Sequence, residues 1–366
     1  MSTIQNVIEH LEYLAPPSYQ ESYDNSGLLV GNAGEQLTGV LITLDCTESV
    51  VQEAVTLGCN LIVAHHPILF KGLKRLNGNT YVERTILLAI QHQVAIYAIH
   101  TNLDHVLHGV NARISEKLGL KNCKILAPKG DLLSKLTFYV PEKNAPEVVH
   151  ALHETGAGHV GNYSHCSFQS AGTGTFRPEN GANPQVGVIG EIESVAEKKI
   201  ELLIPSHLEK KVLNTLRAVH PYEEVAYYLQ ALENLHQEVG AGAVGELPEP
   251  MPIQDFLNYL KERMSVSVIK YTSTAKKMVQ KVAVCGGAGS FLLPHAHRVQ
   301  ADAFVTSDFK YHEFFDAENR LMICDIGHYE SEVCTKDLLF DYLSKKSDNF
   351  ALYLSQVNTN PVSYFV

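Results

Sequence analysis

Residues 61–67 read LIVAHHP: a short apolar run that ends in two histidines and a proline. Four apolar residues in a row suit a buried strand, and Pro67, which has no N–H to give a ladder, stops it. In an open α/β sheet the crevice beyond the strand ends is where ligands bind. His65 and His66 are therefore delivered to that crevice, and because adjacent side chains diverge there, each can face a different ion. The same texture extends outward on both sides. TGVLITLD (38–45) is a β-branched run, a helix is expected from Thr47 to Leu57 and another over Tyr81 to His92, and VAIYAIH ends a second buried strand at His100. Ile4, Val7, Ile8 and Leu11 recur at helical spacing, and Val110 to Leu118 is helical again. Strands alternating with helices predict an α/β domain, its first part ending near Leu120.

From about Leu133 to Glu233 the pattern changes to KLTFYVP, APEVVHALHETG, Gly- and Ser-rich turns, KKIELLIP, LEKKVLNTLRAV and EVAYYLQAL. That order, β-α-β-β-α-β, predicts a ferredoxin-like unit. GAGAVGELPEPMP (240–252) reads as a Gly- and Pro-rich seam, after which a helix near Asp255 to Met264 and strands at KVAVC, AFVTS and LMICDIG resume the α/β pattern. The expected fold is thus a split α/β core, 1–125 and 240–366, interrupted by an inserted α+β unit, 126–239.

The chain has 366 residues and a formal charge of -11, which argues against nucleic acid or an anionic membrane surface as the main partner. Its seven cysteines are odd in number and never spaced C-x-x-C, which points to a reducing compartment, the cytoplasm, rather than a disulfide framework. The first residues, MSTIQNVIEHLEYL, carry acidic side chains in a helical pattern and do not read as a signal peptide, and no apolar run is long enough to span a bilayer. Eighteen histidines stand beside no tryptophan, so histidine placement is the informative feature.

Two further strand ends supply metal-ligating types. HTNLD places His100 and Asp104 after VAIYAI, and DIGHYESE places His328 and Glu332 four apart at a helix start, on one face. Any one of these histidines alone is more often a hydrogen-bonding residue than a ligand, and His-Glu at a helix start is also ordinary dipole compensation. Three separate strand ends carrying the same chemistry shift the balance. Imidazoles with carboxylates suit zinc, manganese, iron, cobalt or nickel, the first three being the ions expected here, and exclude a calcium-type oxygen cage. Five ligands exceed one structural tetrahedron and suit two divalent ions with open positions. The expected division is His65, Asp104 and Glu332 on one ion and His66, His328 and a bridging Glu332 on the other, with His100 as a supporting hydrogen-bond partner. Asp308 and His312, four apart in FVTSDFKYHEFFDA, are candidate acid-base or supporting groups, with a surface ion pair as the equal alternative.

Two glycine patterns need separate readings. Gly240, Gly242 and Gly245 match G-x-G-x-x-G but lack the strand-turn-helix context of a dinucleotide site. CGGAGS (285–290) follows a strand and precedes FLLPHAHRV, so it is either an anion-binding turn or, by the more ordinary role of glycine, a tight turn with positive φ.

YDNSGLLVG (23–31), AHHP, HTNLDHVLHGVN, VTSDFKYH and DIGHYESE together resemble the Nif-three-like dinuclear metal proteins, often labelled GTP cyclohydrolase I type 2 homologues. One departure is Tyr23, where that family more often has tryptophan, read as a packing change. The resemblance implies the five-ligand, two-metal site named above and a ring-shaped homohexamer. It also implies that the insert, with HPYEEVAYYL (220–229), is similar to PII and CutA domains. The leading functional expectation is a metal-dependent hydrolase acting on a nucleotide-like or phosphorylated small molecule, with Asp308 or His312 moving protons. The alternative is a non-catalytic metal-carrying or regulatory scaffold whose insert binds an effector or partner.

Overall fold

The computed structural model describes residues 2–346 and 350–365, and the chain divides into two compact units, 1–128 with 238–366, and 129–237. The first unit is built on two mixed sheets. One has the strand order Gly27–Val30, Ala95–Ala98, Leu61–Ala64, Gly39–Thr43, Ala351–Leu354, with the last four parallel and Gly27–Val30 antiparallel at the edge. Its three inner strands are buried along their whole length, which is why they read as unbroken apolar runs and not as alternating ones. Helices Glu48–Thr56 and Tyr81–Gln91 follow two of these strands. Thr47 and Thr80 cap them, accepting from the backbone N–H of Val50 and Glu83.

The other sheet runs Lys270–Tyr271, Met322–Asp325, Ala303–Ser307, Met278–Ala288, His236–Pro252, Lys121–Lys129. Ala303–Ser307 lies parallel to both Met322–Asp325 and Met278–Ala288, and His236–Pro252 antiparallel to Met278–Ala288. The segment read from sequence as a Gly- and Pro-rich seam is in fact this long strand. Its glycines are there for close packing: a Cβ on Gly240 would lie 2.2 Å from the Ala127 carbonyl oxygen, and one on Gly245 2.8 Å from Cys123 Sγ. Pro248 and Pro250 fall where the ladder with Met278–Ala288 shifts register, between Glu246 and Met251.

The second unit has one four-stranded antiparallel sheet, ordered Phe168–Phe176, Glu193–Pro205, Leu133–Pro141, Tyr227–Leu232, with helices Ala145–His153 and Glu209–Val219. The β-α-β-β-α-β order expected from the sequence is the order found. Its core joins Leu136, Phe138 and Val140 of the central strand to Val148, Leu152, Val212 and Leu216 of the two helices. Among the described residues, no helix is long and apolar enough to cross a membrane.

Candidate metal centre

Strand register sets the site. Thr43 pairs with Ala64 and Ala64 with Ala98, so three parallel strands of the first sheet end level. The residues just beyond them, Asp45, His65, His66 and His100, emerge side by side. In the second sheet Thr306 pairs with Asp325, so Asp308 and His328 likewise emerge beyond neighbouring strand ends. His328 opens a single helical turn, His328–Glu332, and Glu332 closes it.

Each imidazole is held through Nδ1 by a group that can only accept. His65 Nδ1–H donates to the Ile99 carbonyl at 2.8 Å, His66 Nδ1–H to Asp45 Oδ1 at 2.7 Å, and His328 Nδ1–H to Asp308 Oδ2 at 2.7 Å. This fixes ring orientation and presents Nε2 of all three at the centre, the arrangement by which metal-binding histidines are oriented. Glu332, with its side chain 3 % exposed, meets them there: its Oε2 accepts from His66 Nε2 at 2.9 Å and from His328 Nε2 at 3.0 Å. The two Nε2 atoms are 3.3 Å apart.

The electrostatics follow from burial opposed by pairing. Burial pushes the Glu332 carboxyl up, but hydrogen bonds from His328 and His66 hold it well below the usual range. Burial would lower His66, yet Asp45 and Glu332 raise it to about 10; His328, beside Glu332 and Asp308, is raised to about 9. Burial lowers His65 and raises Asp104 well above the usual carboxylate range, the latter helped by the nearby Glu332 charge.

His65 Nε2 and Asp104 Oδ1 are buried, have no hydrogen-bond partner and stand 3.6 Å apart, with Glu332 Oε1 3.9 Å from the same nitrogen. A lone-pair nitrogen and a carboxylate oxygen left unsatisfied in the interior are costly unless something positive sits between them. The residues present fit a divalent cation. Three overlapping groups of ligand atoms, each within 4.8 Å of one another, could hold a metal among the described residues: His65, Asp104 and Glu332; His66, His328 and Glu332; and His65, His66 and His100.

His100 repeats the pattern of the other histidines, donating from Nδ1 to Asp24 Oδ1 at 2.7 Å, and its ring centroid lies 5.3 Å from that of His65. Sequence reasoning gave no role to Asp24 or Asp45. The available signal was position: Asp45 follows a buried strand just as His65 does, and Asp24 lies within YDNSG. Thr359, from the C-terminal segment, donates to Asp45 Oδ2 at 2.7 Å and was not expected at the site. Asp308 is at the site, bonded to His328. His312 lies in the turn Tyr311–Ala317 with its ring against Tyr311 and Phe315, and it is not among the residues lining the cavity.

The glycine-rich end of Met278–Ala288 serves the cluster. Gly286 N–H donates to Asn111 Oδ1 at 3.0 Å and Gly287 N–H to Ser331 Oγ at 2.9 Å. Gly287 has φ +63°, and a Cβ there would lie 2.3 Å from Glu332 Oε1. The cluster opens into a cavity of about 1200 Å³ whose walls include Tyr23, Phe70, Phe291 and Tyr364.

The model of the Duf34/NIF3 (NGG1p interacting factor 3) family matches residues 2–361. The chain belongs to the DUF34/NIF3 family. Curated DUF34/NIF3 relatives named "GTP cyclohydrolase 1 type 2 homolog" include one from Bacillus subtilis, 38% identical over 98% of both chains, and one from Halalkalibacterium halodurans, 40% identical over 98% of both. Among solved structures, the Bacillus cereus protein related to NIF3 is 37% identical and superposes with a TM-score of 0.88, covering 100% of this chain and 99% of its own.

Proposed function

We propose that this DUF34/NIF3 protein holds two divalent metal ions, of zinc, manganese or iron, and hydrolyses a nucleotide-like or phosphorylated small molecule. The observation that carries the reading is the pair of buried, unpartnered atoms His65 Nε2 and Asp104 Oδ1, facing each other beside Glu332. His65, Asp104 and Glu332 would hold one ion; His66, His328 and Glu332 the other. Bound divalent ions would supply Lewis acidity toward a substrate oxygen and make water easier to deprotonate.

The protein's own groups do the rest. Ile99, Asp45 and Asp308 lock the three imidazoles with Nε2 inward, and Glu332 can serve both ions because its two oxygens face different histidines. Asp308, half exposed at the cavity wall, is placed to pass a proton between His328 and a bound molecule. A proton-transfer role for His312 would require it to reach the cavity from its turn, so Asp308 stands first. The relatives' printed name extends the reading to GTP cyclohydrolase chemistry, opening a purine ring with release of formate. A cytoplasmic, ring-shaped homohexamer with a PII- or CutA-like insert completes the proposal.

The test is metal per chain by elemental analysis for the wild type, His65→Ala and Glu332→Gln. Near two equivalents in the wild type, falling in both variants, supports the site and opens a hydrolase screen. One equivalent or none, unchanged by the substitutions, rejects it. Failure of the loaded protein to turn over nucleotides, phosphoesters or amides rejects the hydrolase reading, and absence of formate release from GTP rejects the cyclohydrolase form.

A further inference from the structure

Tyr23 and Phe70 are 63% and 46% exposed, yet they stand in the wall of the cavity beside the metal cluster. Their ring centroids are 6.2 Å apart, and Phe70 in turn meets the His100 ring edge-on at 6.2 Å. The aromatic wall is therefore continuous with the cluster. Large apolar rings left exposed inside a concave polar site mark a ligand surface. Tyr23, read from sequence as a packing substitution, is a wall residue.

Charge decides what the wall receives. Asp45, Asp104, Asp308 and Glu332 of the centre are joined in the lining by Glu21, Asp325 and Glu330. Among the described lining residues there is no arginine, and the one lysine, Lys270, is already 2.8 Å from Asp325 Oδ2. Two divalent ions and Lys270 together would not neutralise these carboxylates. Two of the loop amides that might have held a phosphate, those of Gly286 and Gly287, donate to Asn111 and Ser331 instead. A polyphosphate chain meets no unpaired lysine or arginine among the described lining residues, whereas a flat ring has a face to stack on.

We infer that the site recognises a planar, uncharged ring of nucleobase type, stacked against Tyr23 and Phe70 with one polar edge toward the cluster, and that phosphate groups contribute nothing to recognition. This rests on the metal-dependent, nucleotide-like reading above and narrows it from nucleotides to the ring they carry. Atoms of the substrate next to the cluster would then be those of the ring edge.

The experiment is calorimetric titration of the zinc-loaded full chain with guanosine, with GTP as its magnesium complex, and with inorganic triphosphate, at about 0.15 M salt. Guanosine is expected to bind, GTP to bind no more tightly, and triphosphate to leave guanosine binding unchanged. Phe70→Ala and Tyr23→Ala should each weaken guanosine about tenfold, the scale of a lost base-stacking partner, at unchanged zinc content and melting temperature. GTP binding tenfold tighter than guanosine, displacement of guanosine by triphosphate, no guanosine binding at millimolar concentration, or aromatic substitutions without effect would each overturn the inference. Zinc content on the same samples separates the two readings. Failure of ring binding with zinc in place overturns the ring inference alone, and a wild-type chain that takes up no zinc overturns the metal reading and the ring inference with it.

Discussion

Nε2 of His65 and Oδ1 of Asp104 face each other across 3.6 Å of protein interior, each without a hydrogen-bond partner. In the metal-free protein this is a destabilising arrangement, because burial and the neighbouring Glu332 both disfavour a charged Asp104. Asp104→Asn is therefore expected to leave metal-free stability unchanged or raised by about 1 kcal/mol, while reducing the stabilisation that zinc confers on the wild type by the share of the ion that His65 holds. That wild-type gain is expected to be about 2.7 kcal/mol at a hundredfold excess over Kd. Thermal unfolding of both proteins with and without zinc checks it; a metal-free variant much less stable than the wild type would contradict it.

Asp45 stands between His66 and Thr359, so the C-terminal segment helps to aim a histidine from the first sheet. Asp45→Ala should weaken zinc binding about 10- to 100-fold, the usual consequence of removing a ligand's hydrogen-bond partner. Thr359→Val should act in the same direction and less strongly. Competition titration with a zinc chelator measures both, and equal affinity in all three proteins would show that Asp45 does not orient His66.

Gly287→Ala tests the close approach of the loop to Glu332. With φ +63° and a Cβ 2.3 Å from Oε1, the added methyl displaces the carboxylate as well as straining the backbone. A stability loss of about 1–3 kcal/mol and a fall in zinc content are expected together. Denaturant unfolding and elemental analysis read the two effects; wild-type zinc content in the variant would mean that Glu332 is not held there.

Burial opposes the charge on Asp24, but hydrogen bonds from His100, Thr101 and Asn25 hold its carboxyl well below the usual carboxylate range. A carboxyl that stays ionised to lower pH in the folded than in the unfolded chain stabilises the fold above pH of about 4, and that stability is lost as pH falls further. Asp24→Asn should cost about 1.5–3 kcal/mol at pH 7 and flatten the acid limb of the stability profile. Unfolding measured between neutral pH and acid shows the difference; parallel curves for the two proteins would refute it.

The strand ends were legible because a buried parallel strand announces itself as an apolar run, and a histidine stopped by proline is conspicuous at its end. Asp45 was not, since it follows its strand as part of a helix entry, where an acidic residue has an ordinary explanation. The Gly- and Pro-rich strand was misread because glycines that permit close packing look the same in sequence as glycines that permit flexibility. Asp308 and His312 illustrate a third limit. Their i, i+4 spacing implies a shared face only on a continuous helix, but Asp308 has φ +60° and the 3-10 turn begins at Tyr311. Asp308 therefore turns to His328 while His312 turns to Tyr311 and Phe315.

The His66–Glu332 contact joins residues 266 positions apart, with the second unit encoded between them. During synthesis the ribosome releases His65, His66 and Asp104 early, and the inserted unit can complete its own fold, long before His328 and Glu332 emerge. A chain broken off between Asp104 and Glu332 carries both histidines of the first sheet but lacks the carboxylate that meets them. Full metal occupancy would then be a mark carried only by finished copies.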